Sequence, residues 1–92
     1  MANFIGNTAS TATGVAYKNP AYIVSFSLAN KTGGSITASV GLLQGSTFYI
    51  IYNKSINTAD SYIYSGEQIL VPIGYQIFVS VSGSCDYIFN IQ

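Results

Sequence analysis

Apart from its tyrosines, the reactive chemistry of this sequence rests on seven side chains: Lys18, Lys31, Lys54, Asp60, Glu67, Asp86 and Cys85. General acid–base catalysis needs a group that titrates near neutral pH, most often His or a tuned carboxylate. There is no His and no Arg. The carboxylates fall at a connection (Asp60), a strand start (Glu67) and a strand's outward side (Asp86), so nothing in their spacing makes a working pair of the glycosidase kind. Zinc needs Cys and His at ligand spacing, and one Cys without His excludes it. Calcium held by Asp60, Glu67 and backbone oxygens is conceivable, but no EF-hand-type spacing supports it. No glycine-rich loop leads into a helix, so there is no phosphate cradle. Cys85 has no activating neighbour in sequence and falls on an apolar strand face, where a small buried filler is expected. The expectation is a non-enzymatic protein with no catalytic residue, metal or cofactor.

Composition points the same way. Of 92 residues only 7% are charged, 49% are hydrophobic and the formal net charge is zero, whereas about a quarter of a typical soluble domain is charged. Low charge favours association, so the surface is expected to sit against other protein. Three scattered lysines cannot supply the several phosphate contacts that nucleic acid needs. No apolar run approaches the ~20 residues of a membrane-spanning helix. The N-terminus lacks the basic start and apolar run of a secretory signal, which predicts synthesis in a cytoplasm without a signal peptide.

Val, Ile, Thr, Tyr and Phe dominate the chain, as in pleated, half-buried strands. Turn clusters recur at the spacing of a sandwich or barrel. The reading is all-β: one compact β-sandwich of seven or eight antiparallel strands over residues 21–92, Greek-key or immunoglobulin-like. Residues 1–20 form an extended N-terminal arm or edge strand. Tyr22, Val24, Phe26 and Leu28 alternate with Ile23, Ser25 and Ser27, and Ile36, Ala38, Val40 and Leu42 alternate with Thr37, Ser39 and Gly41. Matching those apolar rows makes a hairpin with Leu28 near Ile36. A three-residue loop at Ser82-Gly83-Ser84 makes a second hairpin, with Val81 opposite Cys85 and Phe78 opposite Ile88. The expected core is Tyr22, Val24, Phe26, Leu28, Ile36, Val40, Leu42, Ile77, Val79, Val81, Tyr87 and Phe89.

That register leaves large apolar groups pointing outward. Phe78 and Ile88 form a pair ringed by polar residues, as in a small interface core, and Ile23, Phe4 and Ile5 join them as candidate interface residues. Tyr49, Tyr52, Tyr62 and Tyr64 lie close in sequence, and tyrosine rings can stack on sugars or serve as strand filler and protein contacts. Two sequons, Asn30-Lys31-Thr32 and Asn53-Lys54-Ser55, fall in expected turns, which are made of the same residue types.

From Gly45 onward the order is a turn, an apolar strand (Phe48 to Tyr52), a polar connection, Tyr62-Ile63-Tyr64, then Ile69-Leu70-Val71-Pro72-Ile73-Gly74 and two closing strands. This pattern resembles small β-sandwich proteins of tailed-bacteriophage virions, among them head decoration and auxiliary capsid proteins. It covers about half the chain. Those sequences often carry an acidic residue after the glycine before the penultimate strand, where Gly74 is here followed by Tyr75. The resemblance implies a bacteriophage virion structural protein, present in many copies or as a homo-oligomer, whose partners are other virion proteins, the major capsid protein first. The competing expectation is a carbohydrate-binding or adhesin-like β-sandwich module.

Overall fold

The computed structural model describes residues 2–15 and 21–92. Lys18 and the rest of 16–20, which belong to the expected arm, lie outside the described residues. Eight strands follow in order: β1 (Ala2–Thr8), β2 (Thr11–Val15), β3 (Ala21–Asn30), β4 (Ile36–Gln44), β5 (Thr47–Ile56), β6 (Ser61–Val71), β7 (Gln76–Val81) and β8 (Cys85–Ile91). They make two four-stranded sheets, β1-β8-β3-β6 and β2-β7-β4-β5, with every pairing antiparallel. The sheets enclose one apolar cluster drawn from both.

Strand β1 pairs with β8, β2 with β7, β3 with β6 and β4 with β5. The chain is therefore one long antiparallel hairpin, tipped at Gly45-Ser46 and rolled until β8 meets β3 and β7 meets β4. Only β4–β5 is a hairpin within a sheet. The expected β3–β4 and β7–β8 hairpins are instead crossings between sheets, so Phe78 and Ile88 do not pair. The reason is geometric: apolar rows that face one another across a sandwich have the same sequence alternation as rows side by side in a sheet. The order also differs from the immunoglobulin arrangement, in which the first two strands share a sheet.

A second correction concerns β3. Ile23 pairs with Ile91 and Ser25 with Asn90, leaving Val24 as the extra residue of a β-bulge. One inserted residue reverses the inward parity. Ala21 and Ile23 point inward before the bulge, and Phe26, Leu28 and Asn30 after it, while Tyr22 and Val24 are only half-buried. Ile23, expected at an interface, is a core residue with no exposed surface. Leu42 is half-buried, and the other nine expected core residues are buried.

Aromatic groups close the two open sides of the sandwich. On one side Phe4 packs on Tyr87 (4.7 Å between centroids) and Phe89 (5.6 Å). It fits because Gly14 of β2 has no side chain; a Cβ there would stand 2.9 Å from the Phe4 ring. The N-terminal segment thus contributes an edge strand to each sheet and a half-buried ring between them, and Phe4 faces inward. On the other side Phe26 stacks on Tyr64 at 5.2 Å and meets Tyr52 and Tyr62 at 5.7 and 6.0 Å.

Candidate interaction surfaces

On the outer face of the first sheet, register brings Ile5 beside Ile88, Ile88 beside Ser27 and Ser27 beside Ile63. The row crosses all four strands. Its isoleucines are 60%, 43% and 69% exposed. The rung on one side is Asn7–Asp86–Ala29–Ser61, where Asn7 Nδ2 donates to Asp86 Oδ1 at 2.8 Å and Lys31 Nζ stands 3.5 Å from Asp86 Oδ2. On the other side Asn90 Nδ2 donates to Ser25 Oγ at 2.8 Å. An apolar stripe between polar rungs has the make-up of an interface core and rim. Ile5 and Ile88, expected at an interface, are thus adjacent, and Ile63 joins them unforeseen.

The second sheet's outer face is built differently. Its rungs read Thr13–Phe78–Gly41–Ile50, with Thr11–Ser80–Ser39–Asn53 on one side. Phe78 is buried, at 2% exposure, although it points away from the core. Gly41 beside it leaves room for the ring, and Phe48 covers it edge-on at 4.9 Å. The expected exposed Phe78 is therefore corrected: it is the floor of an open pocket of about 210 Å³ walled by Phe48 and Ile50, with Thr11, Ser39 and Ser80 on the polar side. Phe48 and Ile50 are more than half exposed. They lie in the run Thr47–Tyr52, whose apolar residues occupy both faces of β5.

The titratable groups are dispersed. Asp60 lies in the β5–β6 connection, where its carboxylate accepts from the Ser61 amide at 2.8 Å. Glu67 lies on β6 and Asp86 on β8, and no group of three metal-capable side chains forms among the described residues. Cys85 is fully buried, and loss of solvation pushes its thiol above the ordinary range.

The four clustered tyrosines divide. Tyr52, Tyr62 and Tyr64 all pack on Phe26, and Tyr52 also meets Tyr62 at 6.3 Å and Tyr64 at 4.9 Å. Tyr64 Oη donates to the Glu67 carbonyl at 2.6 Å, and the neighbouring Tyr52 hydroxyl is the main cause holding its phenol above the ordinary tyrosine range. All three rings are half-buried in this cluster. Tyr49 is half exposed on β5.

Asn30 carries a role that its sequon hid. Its buried amide donates to the carbonyls of Gly34 (2.8 Å), Ile56 (3.0 Å) and Asn57 (3.1 Å), and its Oδ1 accepts from the Thr32 amide and hydroxyl, both at 2.8 Å. It ties the β3–β4 loop to the end of β5. Asn53 is exposed on β5 and not in a turn. The chain matches no protein-family model, no curated protein and no solved structure.

Proposed function

We propose that this chain is a non-enzymatic structural protein of a bacteriophage virion, an auxiliary or decoration protein on the capsid that acts through protein–protein contacts. The observation that carries the reading is that both outer sheet faces bear exposed apolar groups, Ile5, Ile88 and Ile63 on one and Phe48 and Ile50 on the other. A protein with apolar ground on opposite sides fits between neighbours, the major capsid protein and copies of itself. Many weak contacts sum to tight attachment in a multivalent shell. The rolled-hairpin strand order supports a jelly-roll topology of two Greek keys, an architecture used by viral capsid and lectin domains. That fold likeness is analogy; the apolar faces are the physical argument. Quantitative mass spectrometry of purified particles is the test. The reading expects the chain at a multiple of the capsid symmetry, and its absence from particles despite expression in the infected host would overturn it.

The pocket on the second sheet favours one other reading, a carbohydrate-binding module, because a half-exposed Phe48 ring stands beside the Thr11, Ser39 and Ser80 hydroxyls. Saturable glycan binding that Phe48→Ala abolishes would select it over the assembly reading.

A further inference from the structure

We propose that strand β5 pairs edge to edge with β5 of a second copy, antiparallel about a two-fold axis at Tyr49, so that two four-stranded sheets become one of eight. The inference deepens the assembly reading by naming a self-contact within it.

The four sheet edges are unequal. Strands β1 and β2 are short, at 7 and 5 residues. Strand β6 is broken in register between Ser65 and Ile69, with the charged Glu67 in the irregular stretch. Short, bulged or charged edges resist pairing with another chain. Strand β5 has 10 residues, pairs among the described residues only with β4, and carries no charge from Thr47 to Tyr52. Its own irregularity near Ile51 and its one charge, Lys54, lie toward its far end, which leaves Thr47–Ile50 as a regular, uncharged edge.

Register selects the axis. Directly opposed residues of an antiparallel pair share a face, so the two-fold must fall on a residue of the regular stretch before the β4–β5 irregularity near Ile51. An axis at Tyr49 sets Phe48 opposite Ile50 of the second copy, and Ile50 opposite Phe48. Both belong to the outer face beside Phe78, so the two pockets merge into one apolar surface across the seam. Thr47 then meets Ile51 of the second copy, and Lys54, beyond the paired stretch, opposes no like charge.

The area suits a weak contact. A half-exposed aromatic or isoleucine side chain offers on the order of 100 Å². Phe48, Tyr49, Ile50 and Ile51, each between two- and three-fifths exposed, offer at most about 800 Å² over two copies, below the roughly 1,000 Å² of a stable interface and of the size of a weak association.

Sedimentation equilibrium of the full chain across the micromolar range should give a mass rising toward twice 9.8 kDa. Ile50→Lys, at an exposed position, should weaken dimerisation about tenfold or more (about 1.4 kcal/mol by the tenfold rule), while the thermal midpoint at concentrations where the chain is monomeric stays unchanged. Tyr49→Cys should give a disulfide-linked dimer under mild oxidation, because Tyr49 opposes itself, whereas Ile63→Cys on the other sheet should not. A monomer at every concentration, a dimer indifferent to Ile50→Lys, or equal cross-linking through position 63 would each overturn the edge pairing. A monomer that is nonetheless present in particles overturns this contact and leaves the assembly reading standing.

Discussion

Gly41 of β4 and Phe78 of β7 sit opposite one another on the outward side of their sheet, and the space of the missing side chain is filled by the phenyl ring. A Cβ at position 41 would stand 2.9 Å from the ring and closer still to the Tyr49 carbonyl oxygen of β5. The pair gives this face a recess where a flat pleated surface would otherwise stand.

Gly41→Ala should therefore destabilise the fold, because the nearer obstacle is backbone and cannot swing away. Overpacking typically costs about 1–3 kcal/mol, and each kcal/mol lowers the midpoint of a domain this size by roughly 4–8 °C. Adding Phe78→Ala should not restore the loss, since the Tyr49 carbonyl remains in the way. Thermal denaturation of the two single variants and the double variant measures it.

Phe78→Ser should lower stability by about 3–5 kcal/mol, the range for deleting a buried phenylalanine, instead of behaving as a surface change. Phe26→Ala, at the centre of the Tyr52, Tyr62 and Tyr64 cluster, should cost as much. Against a total of about 5–15 kcal/mol, either variant should show a clear shift in urea midpoint.

Much of the sandwich is legible in the alternation of Ile36 to Leu42, Ile77 to Val81 and Cys85 to Ile91, because period two reports which side is apolar. It cannot report which neighbour that side meets, so β3–β4 and β7–β8 read equally well as hairpins or as crossings. The bulge at Val24 is illegible for a related reason: Tyr22, Ile23 and Val24 are all apolar, and no polar residue marks the change of parity. Phe78 misled because burial on an outward face depends on Gly41 and Phe48, which are distant in sequence. Ile88 is legible as an outward apolar group; the face of Ile5, in a segment without clear alternation, and the joining of both with Ile63 required strand order.

Asn30→Ala should cost about 1–3 kcal/mol or more, since buried groups such as the Ile56 carbonyl lose their donor. Asn30→Asp should be worse at neutral pH, because its second carboxylate oxygen would face the Gly34, Ile56 and Asn57 carbonyls that the amide now serves. Those carbonyls would raise the folded-state pKa of the new carboxyl above its unfolded value. Its stability is then kept below the unfolded pKa and lost as pH rises through the folded one, so the Asp variant should regain stability in acid. Urea titrations at neutral and acid pH separate the two substitutions.

Cys85 should resist thiol reagents without denaturant, because it is fully buried. Its folded pKa is raised by burial, so below the ordinary thiol range of about 8.5 both states hold the proton and stability is flat. Above it the unfolded chain releases the proton while the folded chain retains it, and stability falls with rising pH. Cys85→Ala should remove that part of the alkaline decline. Rapid labelling at neutral pH would contradict the burial.

Ile88→Asn tests the isoleucine row on the first sheet separately from the fold. Ile88 is flanked by Ile5 and Ser27, is partly open to solvent and faces away from the core. Surface changes away from packed groups usually stay within about 0.5 kcal/mol, so the thermal midpoint should hardly move. An interface core residue, by contrast, costs more than about 1 kcal/mol of binding when it is a hot spot. Occupancy in purified particles should fall for Ile88→Asn and fall further for Ile5→Asn combined with Ile88→Asn, while a control such as Ser61→Asn on the polar rung retains it. Equal occupancy of all three variants, with folding intact, would remove this row from the contact surface that the virion reading proposes.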